Sequence, residues 1–81
     1  MNVLAVRGLV EMIMSWPNPY SADALAIFAA LVEACSVPGL RYPLGEVGQY
    51  REDSGNGCVY LKFIAIDADT ICVFDAGRLP S

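Results

Sequence analysis

Two clusters of turn-forming residues, Gly55-Asn56-Gly57 and Asp67-Ala68-Asp69, bound the run Cys58 to Ile66, which reads Cys-Val-Tyr-Leu-Lys-Phe-Ile-Ala-Ile. Its β-branched and aromatic residues, with Lys62 as the only charge, suit a pleated and largely buried surface, so the run is expected to be a central strand. A central strand needs a neighbour on each side. Residues 46–52 alternate with little apolar content and read as an edge strand, and residues 70–75 read as a third strand. Asp53-Ser54-Gly55-Asn56-Gly57 supplies residues that accept positive φ for the first hairpin turn, and Ala68-Asp69 makes a two-residue turn for the second. The expected sheet is a three-stranded antiparallel β-meander over 46–52, 58–66 and 70–75.

The second turn sets a register. It pairs Asp67 with Thr70, Ile66 with Ile71, Ala65 with Cys72, Ile64 with Val73, Phe63 with Phe74 and Lys62 with Asp75. Two aromatics and two opposite charges then face each other, both favourable pairings. One face holds Val59, Leu61, Phe63, Ala65, Cys72 and Phe74 and is expected to pack on helices. The other holds Tyr60, Lys62, Ile64, Ile66, Ile71 and Val73.

The first half of the chain reads as two helices, about 2–16 and 19–36. In the first, Val3, Val6, Val10 and Ile13 recur at spacings of three and four, Leu9, Met12 and Trp16 widen the stripe, and Arg7, Glu11 and Ser15 share the opposite side. Gly8 inside such a helix costs about 1 kcal/mol relative to Ala. Pro17 ends the helix, and Asn18-Pro19 is a start signal for the next, with Ser21 as a competing cap and Asp23 well placed for the helix dipole. Val37-Pro38-Gly39 stops the second helix, whose expected core face is Leu25, Phe28, Leu31, Val32 and Cys35. Ala26 and Ala30 on its other side are either good helix formers on a solvated surface or a flat seat for a second copy. Residues 39–45 read as a loop and 76–81 as a loose tail. The expected architecture is a single α+β domain over 1–81, with the helices mainly on one side of the sheet.

Composition adds a tension. Of the 81 residues, 56% are hydrophobic and 17% charged, against roughly 45–50% and ~25% in ordinary globular chains. A chain this short buries only roughly 60–65% of the surface its unfolded form exposes. Some apolar surface is therefore expected to be covered from outside, by a second copy or by another protein. Either one helix packs on each side of the sheet, or the face carrying Tyr60, Ile64, Ile66, Ile71 and Val73 meets something external.

The net charge is −4, with nine acids against five cations, Arg7, Arg41, Arg51, Lys62 and Arg78. Five scattered cations make no basic face, so direct nucleic-acid binding is not expected. The longest apolar run, Ala24 to Val32, lies between Asp23 and Glu33 and is far short of the ~20 residues of a membrane span, so no membrane association is expected. Glu11 interrupts the apolar opening, and Cys35, Cys58 and Cys72 are an odd set, two of them within strands. Reduced, packed thiols in a cytoplasmic protein are the simplest expectation.

No catalytic constellation accompanies these features. The chain has no His, no close Cys pair and no phosphate-binding glycine loop before a helix, so neither an enzyme nor a cofactor is expected. The acids concentrate in the β half. Glu46, Asp67 and Asp69 gather at one sheet end with no cation in the predicted sheet, while Glu52, Asp53 and Asp75 at the other end have Arg51, Lys62 and Arg78 as company. The first group reads as a solvated turn, as a recognition patch for a basic surface, or, with Asp67 and Asp69, as a Mg²⁺ site completed by substrate phosphates. The leading functional expectation is non-catalytic binding of a protein partner with a basic surface. It takes the form of an acidic inhibitor seated on a nucleic-acid-reading surface, in the manner of phage-encoded antagonists such as anti-CRISPR proteins. The alternatives are a homodimeric structural or regulatory protein and a metal-binding subunit of a larger enzyme.

Overall fold

A computed structural model describes residues 1–50 and 59–78. The chain runs β1 (Asn2–Ala5), α1 (Leu9–Met14), α2 (Tyr20–Ala34), β2 (Val47–Tyr50), β3 (Val59–Asp67) and β4 (Thr70–Arg78). The strands form one mixed sheet in the order β1-β4-β3-β2. Both helices pack on the same face, where Leu9, Ile13, Ala24, Ile27, Leu31 and Cys35 meet Val59, Leu61, Phe63, Ala65, Ile71, Val73 and Ala76 in one core. The α+β class and the one-sided placement of the helices agree with expectation. The sheet differs from it.

The expected helix over 2–16 is instead a strand followed by a short helix, and Gly8 is the reason. Its φ of 87° lies in the left-handed region, which L side chains enter only at a cost, and it stands as the N-cap of α1. A backbone turned this way cannot continue a helix through it. The four residues of β1 alternate exposed and half-buried and pair in parallel with β4, Val3 opposite Ile71 and Ala5 opposite Val73. The start of the chain thereby fills the edge of β4 that a three-stranded meander would leave open. The Met1 amine donates to the Cys35 carbonyl at 2.8 Å, tying β1 to the end of α2.

In the β3–β4 hairpin the outer pairs of the expected register are present, Asp67 with Thr70 and Lys62 with Asp75. Between them the strands slide by one residue, so that Ala65 faces Ile71, Ile64 faces Cys72 and Phe63 faces Val73. One irregularity falls between Ala65 and Asp67, leaving Ile66 extra on β3. The other leaves Phe74 extra on β4, so the two offsets cancel. A slip of one residue exchanges the faces of everything between. Ile71 and Val73, expected on the open face, are fully buried in the core, while Cys72 is half-buried and Phe74 exposed. Phe63 already fills the inner face with its ring edge-on to Tyr42, centroids 5.0 Å apart. The observed register sets compact Val73 opposite it, where the expected one would set a second phenyl ring.

Helix α2 is rotated from its expected orientation. Ala24, Ile27 and Leu31 are buried in it, and Cys35 at its C-cap, whereas Leu25 and Val32 are exposed. Apolar residues surround this helix nearly all round, so their spacing does not single out one inner side. β2 faces the core through Gly48, where a Cβ would overlap the Phe63 ring. The expected extension of this strand through 51–52, the hairpin turn at 53–57 and Cys58 lie outside the described residues, as do 79–81. Residues 76–78, expected in a loose tail, continue β4. There Ala76 is buried and the Arg78 guanidinium lies 5.6 Å from the Trp16 ring centre and 5.3 Å from that of Tyr20.

Candidate protein-binding surface

Among the described residues nothing covers the sheet face opposite the helices, and apolar side chains cross it from edge to edge. Leu4 pairs with Cys72, Cys72 with Ile64 and Ile64 with Val47, so one row spans all four strands. Its ends are the most open, Leu4 at 51% and Val47 at 59% exposure. The two extra residues of the hairpin, Ile66 at 54% and Phe74 at 37%, add to the same exposed apolar set. Charge enters this face as Lys62 directly opposite Asp75. The Lys62 ammonium lies 5.7 Å from the Tyr60 ring centre, and that ring covers Gly77 on the neighbouring strand, where a Cβ would overlap it.

Of the residues expected on this face, Tyr60, Ile64 and Ile66 are there. Ile71 and Val73 are not, because the paired offsets turn them into the core. Leu4, Val47, Cys72 and Phe74 were not expected on it. The alternation of β1 just before a glycine is the signal that would have supplied Leu4.

The acidic end is assembled from separate segments. The bridge of Leu44 to Ala65 and the pairing of Val47 with Ile64 bring Glu46 beside the end of β3, where Asp67 and then Asp69 follow. Glu46, Asp67 and Asp69 are all exposed. Asp67 has a local task as well, since its Oδ1 accepts from the Asp69 amide at 2.8 Å and braces the turn. Arg41 reaches the Asp69 carboxylate at 3.9 Å, but both side chains are more than half exposed, and such a pair is worth about 0–1 kcal/mol. Sequence spacing had placed no cation here. Leu44, at 64% exposure, Val47 and Ile66 stand among these carboxylates. In the second acidic group, Glu52, Asp53 and Arg51 lie outside the described residues.

A smaller apolar strip runs along the outer side of α2, where Ala22, Leu25, Ala26, Ala29 and Val32 are exposed; Ala30 is half-buried. Burial pushes the Cys35 thiol above its ordinary pKa, against the opposing pull of the N-terminal amine. Among the described residues no group of three or more His, Cys, Asp or Glu side chains is placed so that it could hold a metal ion, and no helix is long and apolar enough to cross a membrane. In comparisons with known proteins, no family model, no curated protein and no solved structure matches the chain.

Proposed function

We propose that the chain is a non-catalytic protein-binding protein whose acidic sheet end seats on a basic surface of another protein, acting as an inhibitor or antagonist of that surface. One observation carries the reading: Glu46, Asp67 and Asp69, from segments apart in sequence, are exposed together at the end where Leu44, Val47 and Ile66 are also exposed. Carboxylates steer approach to a cationic partner and choose its orientation, while neighbouring aliphatic groups supply the area that holds it once water is excluded. Carboxylates alone would give a contact that salt dissolves. The apolar groups among them argue for a partner of mixed character, a basic rim around an apolar patch, as on a protein groove that reads a phosphate backbone.

The test is capture of host proteins on the native chain and on the charge-reversed variant Glu46→Lys/Asp67→Lys/Asp69→Lys, with far-UV circular dichroism as the control for folding. The native chain is expected to retain basic proteins that the reversed chain does not, and to release them as salt shortens the Debye length from ~10 Å at 0.1 M to ~3 Å at 1 M. Equal retention by the two chains would end the reading.

A further inference from the structure

We propose that the centre of the helix-free sheet face is a self-association surface, and that its occupant is the same face of a second copy of this chain. The inference goes beyond the acidic-end reading; the two surfaces share Val47 and Ile66, so that in a dimer the basic partner would meet Leu44 and the carboxylates alone.

Two observations select the occupant. The first is charge. The molecule carries −4 overall, yet among the described residues this face presents one cation and one anion side by side, Lys62 opposite Asp75. Despite that placement the two are not within ion-pairing distance, and among the described residues Asp75 has no ion pair. A surface holding one adjacent plus and minus is complementary to itself under a two-fold rotation, which brings Lys62 of each copy to Asp75 of the other. A strongly basic partner would find no surplus of anions here to match it. The described acids Glu11, Asp23, Glu33, Glu46, Asp67 and Asp69 lie on the helices or at the sheet end, away from the centre of this face.

The second observation is area. Leu4, Val47, Ile66 and Phe74, at their observed exposures and on the order of 150–200 Å² for each whole residue, somewhat under the area an aromatic side chain buries, leave roughly 350 Å² of open, mostly apolar surface. The half-buried Tyr60, Lys62, Ile64, Cys72 and Asp75 raise the face to about 500 Å² per copy, so two copies bury at most about 1,000 Å², the size of a weak and reversible interface. The strip on α2, made mostly of alanines, falls well below that. Two such sheets stack face to face at about 10 Å, a separation that side chains of this size fill. The apolar row supplies the association, and the crossed charge pairs set its orientation.

The experiment is sedimentation equilibrium on the full chain up to about 100 μM, within reach of a micromolar Kd. The native chain is expected to dimerise. Lys62→Asp alone and Asp75→Lys alone are each expected to give monomers, because each sets like charges across both halves of the axis. Mixed in equal amounts, the two variants are expected to recover the dimer, since every crossed contact is again opposite in sign. Recovery on mixing also shows that both variants are folded. A native chain that stays monomeric, a single variant that still dimerises fully, or a mixture that stays monomeric overturns the proposal. The triple reversal of Glu46, Asp67 and Asp69 is expected to leave the dimer in place, so loss of partner capture and loss of self-association are read separately.

Discussion

Gly8→Ala separates the observed strand-then-helix from a continuous helix by the sign of its effect. In a helix over 2–16, removing an interior glycine would stabilise the protein by about 1 kcal/mol. At the observed φ of 87° an alanine must hold a left-handed backbone, which costs roughly 1–2 kcal/mol. Restricting the unfolded chain returns about 0.4–1 kcal/mol of that. Nothing lies within 4 Å of a Cβ added at Gly8, so no steric contact contributes and the effect is that of the backbone alone. The net expectation is a loss of about 1 kcal/mol, or about 4–8 °C in Tm for a domain of this size. Urea unfolding followed by the fluorescence of Trp16, the one tryptophan, measures it. Gly8→Asn should lose less, because Asn tolerates the left-handed region better than Ala. A variant Gly8→Ala as stable as the native chain, or more stable, would refute the hinge.

Ile71→Ala should cost about 2–5 kcal/mol by opening a cavity, whereas Ile66→Ala should stay within about 0.5 kcal/mol as an exposed change; similar small losses in urea melts would mean that the hairpin offsets are absent. Gly48→Ala should force the Phe63 ring aside and cost about 1–3 kcal/mol, with the ring-current shifts of Tyr42 moving in proton NMR; an unchanged spectrum counts against that contact. The Cys35 thiol, held protonated by burial, keeps its proton in the folded chain at pH values where the unfolded chain has lost it. Its contribution to stability is therefore complete below the ordinary thiol range and declines as pH rises above about 8.5. The native chain should lose more stability than Cys35→Ala between pH 8 and about 10, and equal losses would remove Cys35 as the cause.

The hairpin of β3 and β4, helix α2 and the one-sided layering were legible because each rests on a strong local signal: a β-branched run between turns, or an apolar run between helix stops. β1 was not. Val3, Val6 and Val10 satisfy helical spacing as well as the start of a strand, and Gly8, tolerable at a small cost inside a helix, instead marks where the helix begins. The faces of β4 were lost for another reason. Residues 71–74 are Ile, Cys, Val and Phe, so either parity gives an apolar inner face, and only packing against Phe63 chooses between them. Of the candidate surfaces, the acidic end was readable because antiparallel pairing carries Glu46 to the Asp67–Asp69 turn in any register close to the observed one. Arg41, Leu44 and Leu4 were not, since they arrive through a loop bridge and a parallel strand that sequence periodicity does not encode.

The open face is apolar beyond what folding needs. Full burial of an aliphatic side chain contributes about 1.5–3 kcal/mol, and the residues that collect it, Ile13, Ile27, Leu31, Leu61, Ile71 and Val73, all lie on the inner side. Val47 and Ile66, more than half exposed, collect only a fraction. Threonine would serve the strand geometry at those positions equally well. Their aliphatic character therefore contributes little to the isolated molecule and costs it solubility, a balance that reverses only when something covers them. Val47 and Ile66 also stand where the row crossing the sheet meets Glu46 and Asp67. In the proposed dimer a second copy shields the row and leaves those carboxylates at the rim, so each acidic end, with Leu44 beside it, would stay open to the proposed basic partner.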